Sequence, residues 1–314
     1  MREISQSQGL LADKFEFLGH FDISSEDPRN GLFFQEIYIP EEMLLNILSW
    51  VPPDMLLPLS LVCKRWSNII KSTRLWWDIH KRIKCKRKSR RLPWYVYYSY
   101  HTTNNFKNLI KNGNGQQHYK HWKVSRKNVF HRTRKLQIED PPRGTEPLPK
   151  NIPDFDGHTS CFVTSSENTR LVQEIPLFKK HLLCYIMTKF KPRIYCSAWM
   201  ASRFDNESIL QLIVKGYSNP EYNNDTLVIS MSKEIVVHRW EGGDWHKIEI
   251  AIDSFPKNLA VITFEHGNGD PPDTGQHYSS SRYRCKMAGG VVQIDFDSIQ
   301  GVSADLKKGE DMDC

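Results

Sequence analysis

The residues best equipped for chemistry in this 314-residue chain are scattered, not convergent. Asp273-Thr274-Gly275 spells the triplet around a catalytic aspartate. That chemistry needs two carboxylates sharing a proton, and the chain holds one copy, in a loop sequence after Pro271-Pro272. His118, His121 and His131 are metal ligands by type, but no Cys or acidic residue lies near them, so they read as surface histidines. The seven cysteines are odd in number and widely spaced, without a CxxC pair, which fits reduced, buried thiols. Neither a phosphate-cradling GxxxxGK(S/T) loop nor a Gx(S/C)xG nucleophile elbow is present. The expectation is therefore a non-enzyme without metal or cofactor, whose function resides in its surfaces.

Two surfaces are written into the chain. The first is basic: from Ile79 to Ile138 there are 17 Lys and Arg and no Asp or Glu, leaving the remainder with 26 basic against 36 acidic residues. Within it, residues 81–98 run from KRIKCKRKSRR into LPWYVYY. We read this as a solvated linker helix against which Trp94 to Tyr98 pack; a nuclear-targeting signal is an alternative. An alternative of another class is a nucleic-acid-binding module using the basic segment 81–135, whose affinity would fall steeply with salt.

The second surface is apolar and spans Ile39 to Trp77. Pro40 suits a first helical turn, and Glu41 and Glu42 complement its positive end. Leu44, Leu45, Ile47, Leu48 and Val51 then recur at helical spacing until Pro52-Pro53 stops the helix. Asp54 is placed to cap a second helix with Pro58 in its first turn. Leu57, Leu61, Val62, Trp66, Ile69 and Ile70 continue the pattern, and Leu75, Trp76 and Trp77 open a third element. Two or three short helices result, with more apolar surface than they can bury alone, so the stretch reads as a docking element.

The rest of the chain positions that element. Residues 1–36 are polar and irregular, a flexible N-terminal arm, followed by helices over 37–84 and a basic and aromatic linker over 85–104. From 105 to 300 the period changes to short alternating runs: Cys161–Thr164, Leu210–Gly216, Thr226–Met231, Glu234–Trp240, Trp245–Ile252, Leu259–Glu265 and Gly290–Phe296. Turn residues separate them, which predicts an antiparallel sandwich or barrel. Leu177–Lys189 reads as a short helix, Pro141–His158 as a long surface loop, and 301–314 as a tail. No apolar run approaches the ~20 residues of a membrane helix. The N-terminus lacks the apolar core of a signal peptide, so the expected location is cytoplasmic, with the nucleus as alternative, and no membrane partner is expected.

Ile39-Pro40, Ile47-Leu48, Val51-Pro52, Leu61-Val62-Cys63-Lys64-Arg65-Trp66 and Leu75-Trp76 together resemble the F-box. The resemblance implies docking on a Skp-type adaptor, and through it on cullin and RING subunits of a ubiquitin ligase. The implied adaptor contacts are Ile39, Pro40, Leu44, Leu45, Ile47, Leu48, Val51, Pro52, Leu57, Leu61, Val62, Trp66, Leu75 and Trp76. Asn108 to Asn112 through Trp122, Cys161 to Ser165, Lys191-Pro192, Ala198-Trp199 with Arg203 and Asp205, and Phe264 to Asp270 resemble the F-box-associated domain of the sugar-recognising F-box proteins. That implies an α+β chain: a small helical F-box, a linker helix and an antiparallel jelly-roll-like β-sandwich whose end loops hold a target. The implied loop candidates are Ser166, Glu167, Asn168, Asp205, His277, Tyr278, Ser279 and Tyr283. Sugar-binding members carry an aromatic where this chain has Ser166 and a Tyr-Trp pair where it has Tyr278-Ser279. A serine cannot replace a stacking ring, so a protein target is expected ahead of a high-mannose glycan.

Overall fold

The computed structural model describes residues 19–84, 91–126, 137–164, 169–221, 223–269 and 285–300. The chain divides into two compact units, Met1–Phe106 with Ile299–Cys314, and Lys107–Ser298.

The first unit starts with a hairpin, β1 (Phe33–Phe34) and β2 (Ile37–Tyr38), turned at Gln35 and Glu36, both at positive φ. Five helices follow: α1 (Glu41–Trp50), α2 (Pro53–Leu59), α3 (Lys64–Ile70), α4 (Thr73–Lys84) and α5 (Trp94–Thr102). In α1, Leu44 and Leu48 turn inward, one helical turn apart, while Met43, Ile47 and Trp50 form an outward stripe. Helix α2 begins differently from expectation. Pro52 occupies the cap position and Pro53 the first turn, where its fixed φ starts the helix without Asp54 as cap. Pro58 sits at the far end, next to the closing residue Leu59. Cys63 caps α3, its Sγ accepting from the Trp66 amide. Helix α4 buries Leu75, Trp76, Ile79 and His80 on one stripe and places Lys81, Arg82 and Lys84 at its negative end.

Two expectations are corrected here. The arm is not loose over residues 19–36. Asn68 of α3 exchanges two 2.8 Å hydrogen bonds with the Phe21 backbone, and Arg65 donates to the Asn30 carbonyl. Trp66 Nε1 donates to the Gly31 carbonyl at 2.7 Å. Gly31, at φ +79°, lies so close that a Cβ there would meet Cys63 Sγ at 2.6 Å. Nor is the aromatic part of 85–104 a linker: it packs, as expected, but as a helix of the first unit. Trp94, Tyr95, Val96 and Tyr97 are buried in α5, and Trp76 meets Tyr98 edge-on at 5.7 Å. Residues 85–90, the centre of the basic run, lie outside the described residues.

The second unit is a sandwich of two five-stranded antiparallel sheets. In the first, the order is β3 (Lys123–Arg126), β6 (Thr169–Pro176), β11 (Val261–Asn268), β8 (Ser208–Tyr217), β9 (Leu227–Val237). In the second it is β10 (His246–Ile252), β7 (Ile194–Ser202), β12 (Cys285–Ile294), β5 (Cys161–Val163), β4 (Gln137–Glu139). Helix α6 (His181–Phe190) follows β6 after a short 3-10 turn. Ring contacts cross between the sheets: Trp122 lies 5.2 Å from Phe162 of β5 and 5.2 Å from His266 of β11. Asparagines knit the segment leading into the sandwich. Asn108 bonds Gly290 and Val292, Asn112 closes the turn through His118 and Lys120, and Asn114 bonds Phe155 and Gly289.

The Pro-rich stretch from 141 to 158 also departs from expectation, because part of it is core. Leu148 and Phe155 are buried on the outer face of the second sheet with Cys161, Val163, Ala201, Trp245 and Ala288. Beneath the same stretch Lys286 is fully buried, donating to the Glu139 carboxylate and the Arg143 carbonyl.

Candidate binding surfaces

The sequence-predicted adaptor residues separate into three groups. Leu44, Leu48, Trp66, Leu75 and Trp76 are buried within the first unit and hold its helices together, so they are not docking contacts. Leu45, Val51, Leu57, Ile39 and Pro40 are half-buried, and Pro52 is exposed. Ile47, Leu61 and Val62 face solvent at 51%, 86% and 59% exposure. The reading missed Met43, Trp50 and Met55, which are exposed beside them. The signal was available: Met43, Ile47 and Trp50 share one helical stripe, whose phase is opposite to that of Leu44 and Leu48.

The basic residues of this unit are engaged with its aromatics. Lys81 and Arg91 lie over Trp77 at 4.4 and 5.7 Å, Arg82 over Trp50 at 4.4 Å, and Lys84 over Tyr100 at 5.1 Å. Such stacking uses the ring faces that a nucleic-acid base would need. Residues 127–135 of the proposed basic interface lie outside the described residues.

In the sandwich, the strand ends that flank the predicted target loops lie together. The amide and hydroxyl of Thr164, after β5, both donate to the Cys285 carbonyl at the start of β12. Cys285 pairs with Ser202 at the end of β7, and Arg170 with Gly267 of β11. The strand ends flanking 165–168 and 270–284 are thus neighbours. Ser166, Glu167, Asn168, His277, Tyr278, Ser279 and Tyr283 themselves lie outside the described residues.

Asp205 is described, on the β7–β8 turn at that same end. Arg203 grips its carboxylate in a fork, at 2.9 and 3.1 Å, which holds the carboxyl below its usual range despite some desolvation. Beside it stands a feature the sequence reading missed. Phe204 and Trp240 are 48% and 67% exposed, with ring centroids 6.1 Å apart. The backbone beneath the pair is tied down: the Phe204 amide donates to the Gly144 carbonyl, and the Trp240 amide to the Phe204 carbonyl at 2.9 Å. Trp240 accepts φ +72°, a left-handed conformation costly for a bulky residue. Trp240-Glu241-Gly242-Gly243-Asp244-Trp245 read only as a turn. A Trp flanking a Gly-Gly turn has two fates, and here the second Trp, bonded to the Glu146 carbonyl, takes the buried one.

Elsewhere, an open cleft of about 810 Å3 runs along β4, lined by Tyr119, Glu139, Arg143, His158 and neighbouring polar residues. The described buried thiols carry no nucleophile: burial pushes Cys161 and Cys196 up to about 12, and Cys285 higher still.

A closed helical core with an outward apolar stripe, followed by an antiparallel sandwich, makes up a two-part protein. Comparison with known proteins gives the class a family. Residues 37–82 match the F-box-like family model, and residues 100–294 match that of the F-box associated region. The second match spans more than half of the chain, which therefore belongs to the F-box-associated family. F-box only protein 6 of Homo sapiens is 26% identical over 244 residues, covering 74% of this chain and 76% of the relative. F-box only protein 44 of Homo sapiens is 23% identical over 265 residues, covering 82% and 95%. Among solved structures, TmCBM61 in complex with beta-1,4-galactotriose aligns at a TM-score of 0.34 and 12% identity, covering 60% of this chain and 99% of the other.

Proposed function

We propose that this protein is the substrate-recognition subunit of an SCF-type cullin ubiquitin ligase, working in the cytosol or nucleus. Its F-box helices dock a Skp-type adaptor, and the loop end of its sandwich holds a target protein. The observation that carries this reading is the exposed set Met43, Ile47, Trp50, Leu61 and Val62, standing outside a helical core that is already complete. Apolar anchors on a rigid helix pair suit a partner groove. The mechanism is proximity: tethering raises the local concentration of target lysines at the ligase without a reacting group in this chain.

The test uses residues outside the core. The double variant Ile47→Asp/Leu61→Asp is expected to weaken capture of purified Skp-type adaptor by at least about tenfold, with the thermal midpoint preserved. Wild-type capture by this variant would sink the assignment. Leu48→Asp is unsuitable, because Leu48 is 2% exposed and its loss unfolds the unit instead.

A second reading, a lectin-type receptor for high-mannose N-glycoproteins in ER-associated degradation, is favoured by one observation. Phe204 and Trp240 offer an aromatic platform beside the Arg203–Asp205 fork, at the end where the stacking rings were expected. On a glycan array this reading expects high-mannose binding that Trp240→Ala reduces about thirtyfold, the ~2 kcal/mol of a central aromatic anchor. An array without high-mannose signal removes it.

A further inference from the structure

We propose that β9 is a self-pairing edge, through which two copies of this chain join antiparallel about Ser232 and fuse their first sheets into one of ten strands. This goes beyond the receptor reading and does not depend on it.

Strand β9 is the longest in the sandwich, 11 residues, and lies at the edge of its sheet with β8 on one side and no strand on the other among the described residues. An edge strand presents unpaired backbone donors and acceptors, and natural edges are usually short or covered. This one is neither. Leu227, Val228, Met231 and Val236 are exposed, Val236 by half.

What the sequence of β9 fits best is itself. LVISMSKEIVV is nearly palindromic about Ser232. In a two-fold antiparallel pairing centred there, Val236 faces Val228 of the second copy, Ile235 faces Ile229 and Val237 faces Leu227. Lys233 meets Met231 and Glu234 meets Ser230, so no like charges stand directly opposite. A slip of one residue would set each side chain on the wrong face.

Of the two charges on this strand, one is engaged within its own chain. Gln211 Nε2 donates to the Glu234 carboxylate at 3.3 Å. The other, Lys233, meets Met231 in the paired register and so faces no second lysine. The one irregularity against β8, between Gly216 and Tyr217, falls opposite Leu227 and Val228 and leaves 229–235 regular. Antiparallel pairing sets the two loop ends about 35 Å apart, one strand length, facing opposite ways. Such a pair would present two target sites and gain avidity for a target with two copies of the recognised feature.

Light scattering on the full chain tests the idea. The expected mass is twice 36.8 kDa at high concentration, falling toward 36.8 kDa on dilution. Val236→Lys, at a half-exposed position, is expected to hold the protein at 36.8 kDa throughout. Register is read separately by a short bismaleimide. Ser232→Cys should cross-link two copies well above the wild-type background. Val228→Cys should not, since its two copies lie about 26 Å apart, eight residues of strand. A wild-type mass of 36.8 kDa up to the solubility limit overturns the proposal. So does a dimer in which Ser232→Cys cross-links no better than Val228→Cys, even if Val236→Lys fails to fold.

Discussion

Glu139→Ala is expected to cost about 3–5 kcal/mol of unfolding free energy in a denaturant titration, because it strands a buried ammonium. The Lys286 side chain is wholly inaccessible, on the face of the second sheet that the 140–160 stretch covers. Its partners are the Glu139 carboxylate and the Arg143 carbonyl. Remove the carboxylate and the charge keeps only a neutral acceptor. The converse variant, Lys286→Met, leaves Glu139 better placed. Its side chain is 15% exposed and still accepts from the Arg143 amide at 2.8 Å, so the loss should be about 1–3 kcal/mol. Joining the two changes removes both charges from the interior and should bring stability back to within about 1 kcal/mol of wild type. The diagnostic is the non-additivity. If the double variant lost the sum of the single losses, the pair would not be the buried, mutually dependent unit described.

Stability should also fall on mild acidification, and His266 is the group that dictates it within the sandwich. It is buried between the sheets against Trp122 and Phe162, and neither ring nitrogen has a hydrogen-bond partner among the described residues. Burial alone drives its pKa from 6.5 down to about 3. Above pH 6.5 the ring is neutral in both folded and unfolded chains and contributes no pH dependence. Between pH 6.5 and 3 the unfolded chain takes up a proton that the folded chain refuses. Stability therefore falls by about 1.4 kcal/mol per pH unit as the pH drops through that window. In the helical unit, burial chiefly, with His80 and Lys84, holds His101 at about 4, adding a slope of the same size over a narrower range. Unfolding followed from pH 7 to pH 4.5 should show a shallower acid slope in His266→Leu, by about one proton. An unchanged slope would mean that the ring is already solvated in the native state.

Much of this architecture was legible in the sequence, and the exceptions share a cause. The helix sequence from Pro40 onward announced itself because one face repeats at 3.6 residues. The short apolar runs marking β8, β10 and β11 stood out between turn residues, with alternation clear in β10. Strand β7, IYCSAWMAS, escaped because both of its faces are covered and alternation disappears. Strand β6 escaped because Gln173, a polar residue on the inward phase, is satisfied by the Lys111 backbone, a long-range fact that no window contains. Strand β9 was read as two pieces because Ser232 and Lys233 interrupt it, yet an exposed edge tolerates both. For the docking surface, type and spacing identified the helices but could not say which leucines close the core. Leu48 and Leu61 carry the same side chain, one 2% and the other 86% exposed. Their places separate them: Leu48 lies on the inward stripe of α1, whereas Leu61 lies in the turn after α2. The Phe204–Trp240 pair depends on a backbone contact between two turns far apart in sequence, so no local pattern could announce it.

The stretch over Pro141–His158 has a consequence for how the molecule is cut and grafted. Composition marks it as the natural place for a protease to nick or an engineer to insert a tag, since exposed Pro- and Gly-rich loops ordinarily serve both purposes. Its attachments make it the reverse. The Glu146 amide is tied to Gly243, its carbonyl to the Trp245 indole, Asp154 to the Trp199 indole, and Phe155 closes over a glycine that admits no Cβ. A cut or insertion there opens the lid over a buried ammonium and a cluster of aromatic side chains. The segment that looks most expendable is therefore among the least dispensable parts of the sandwich.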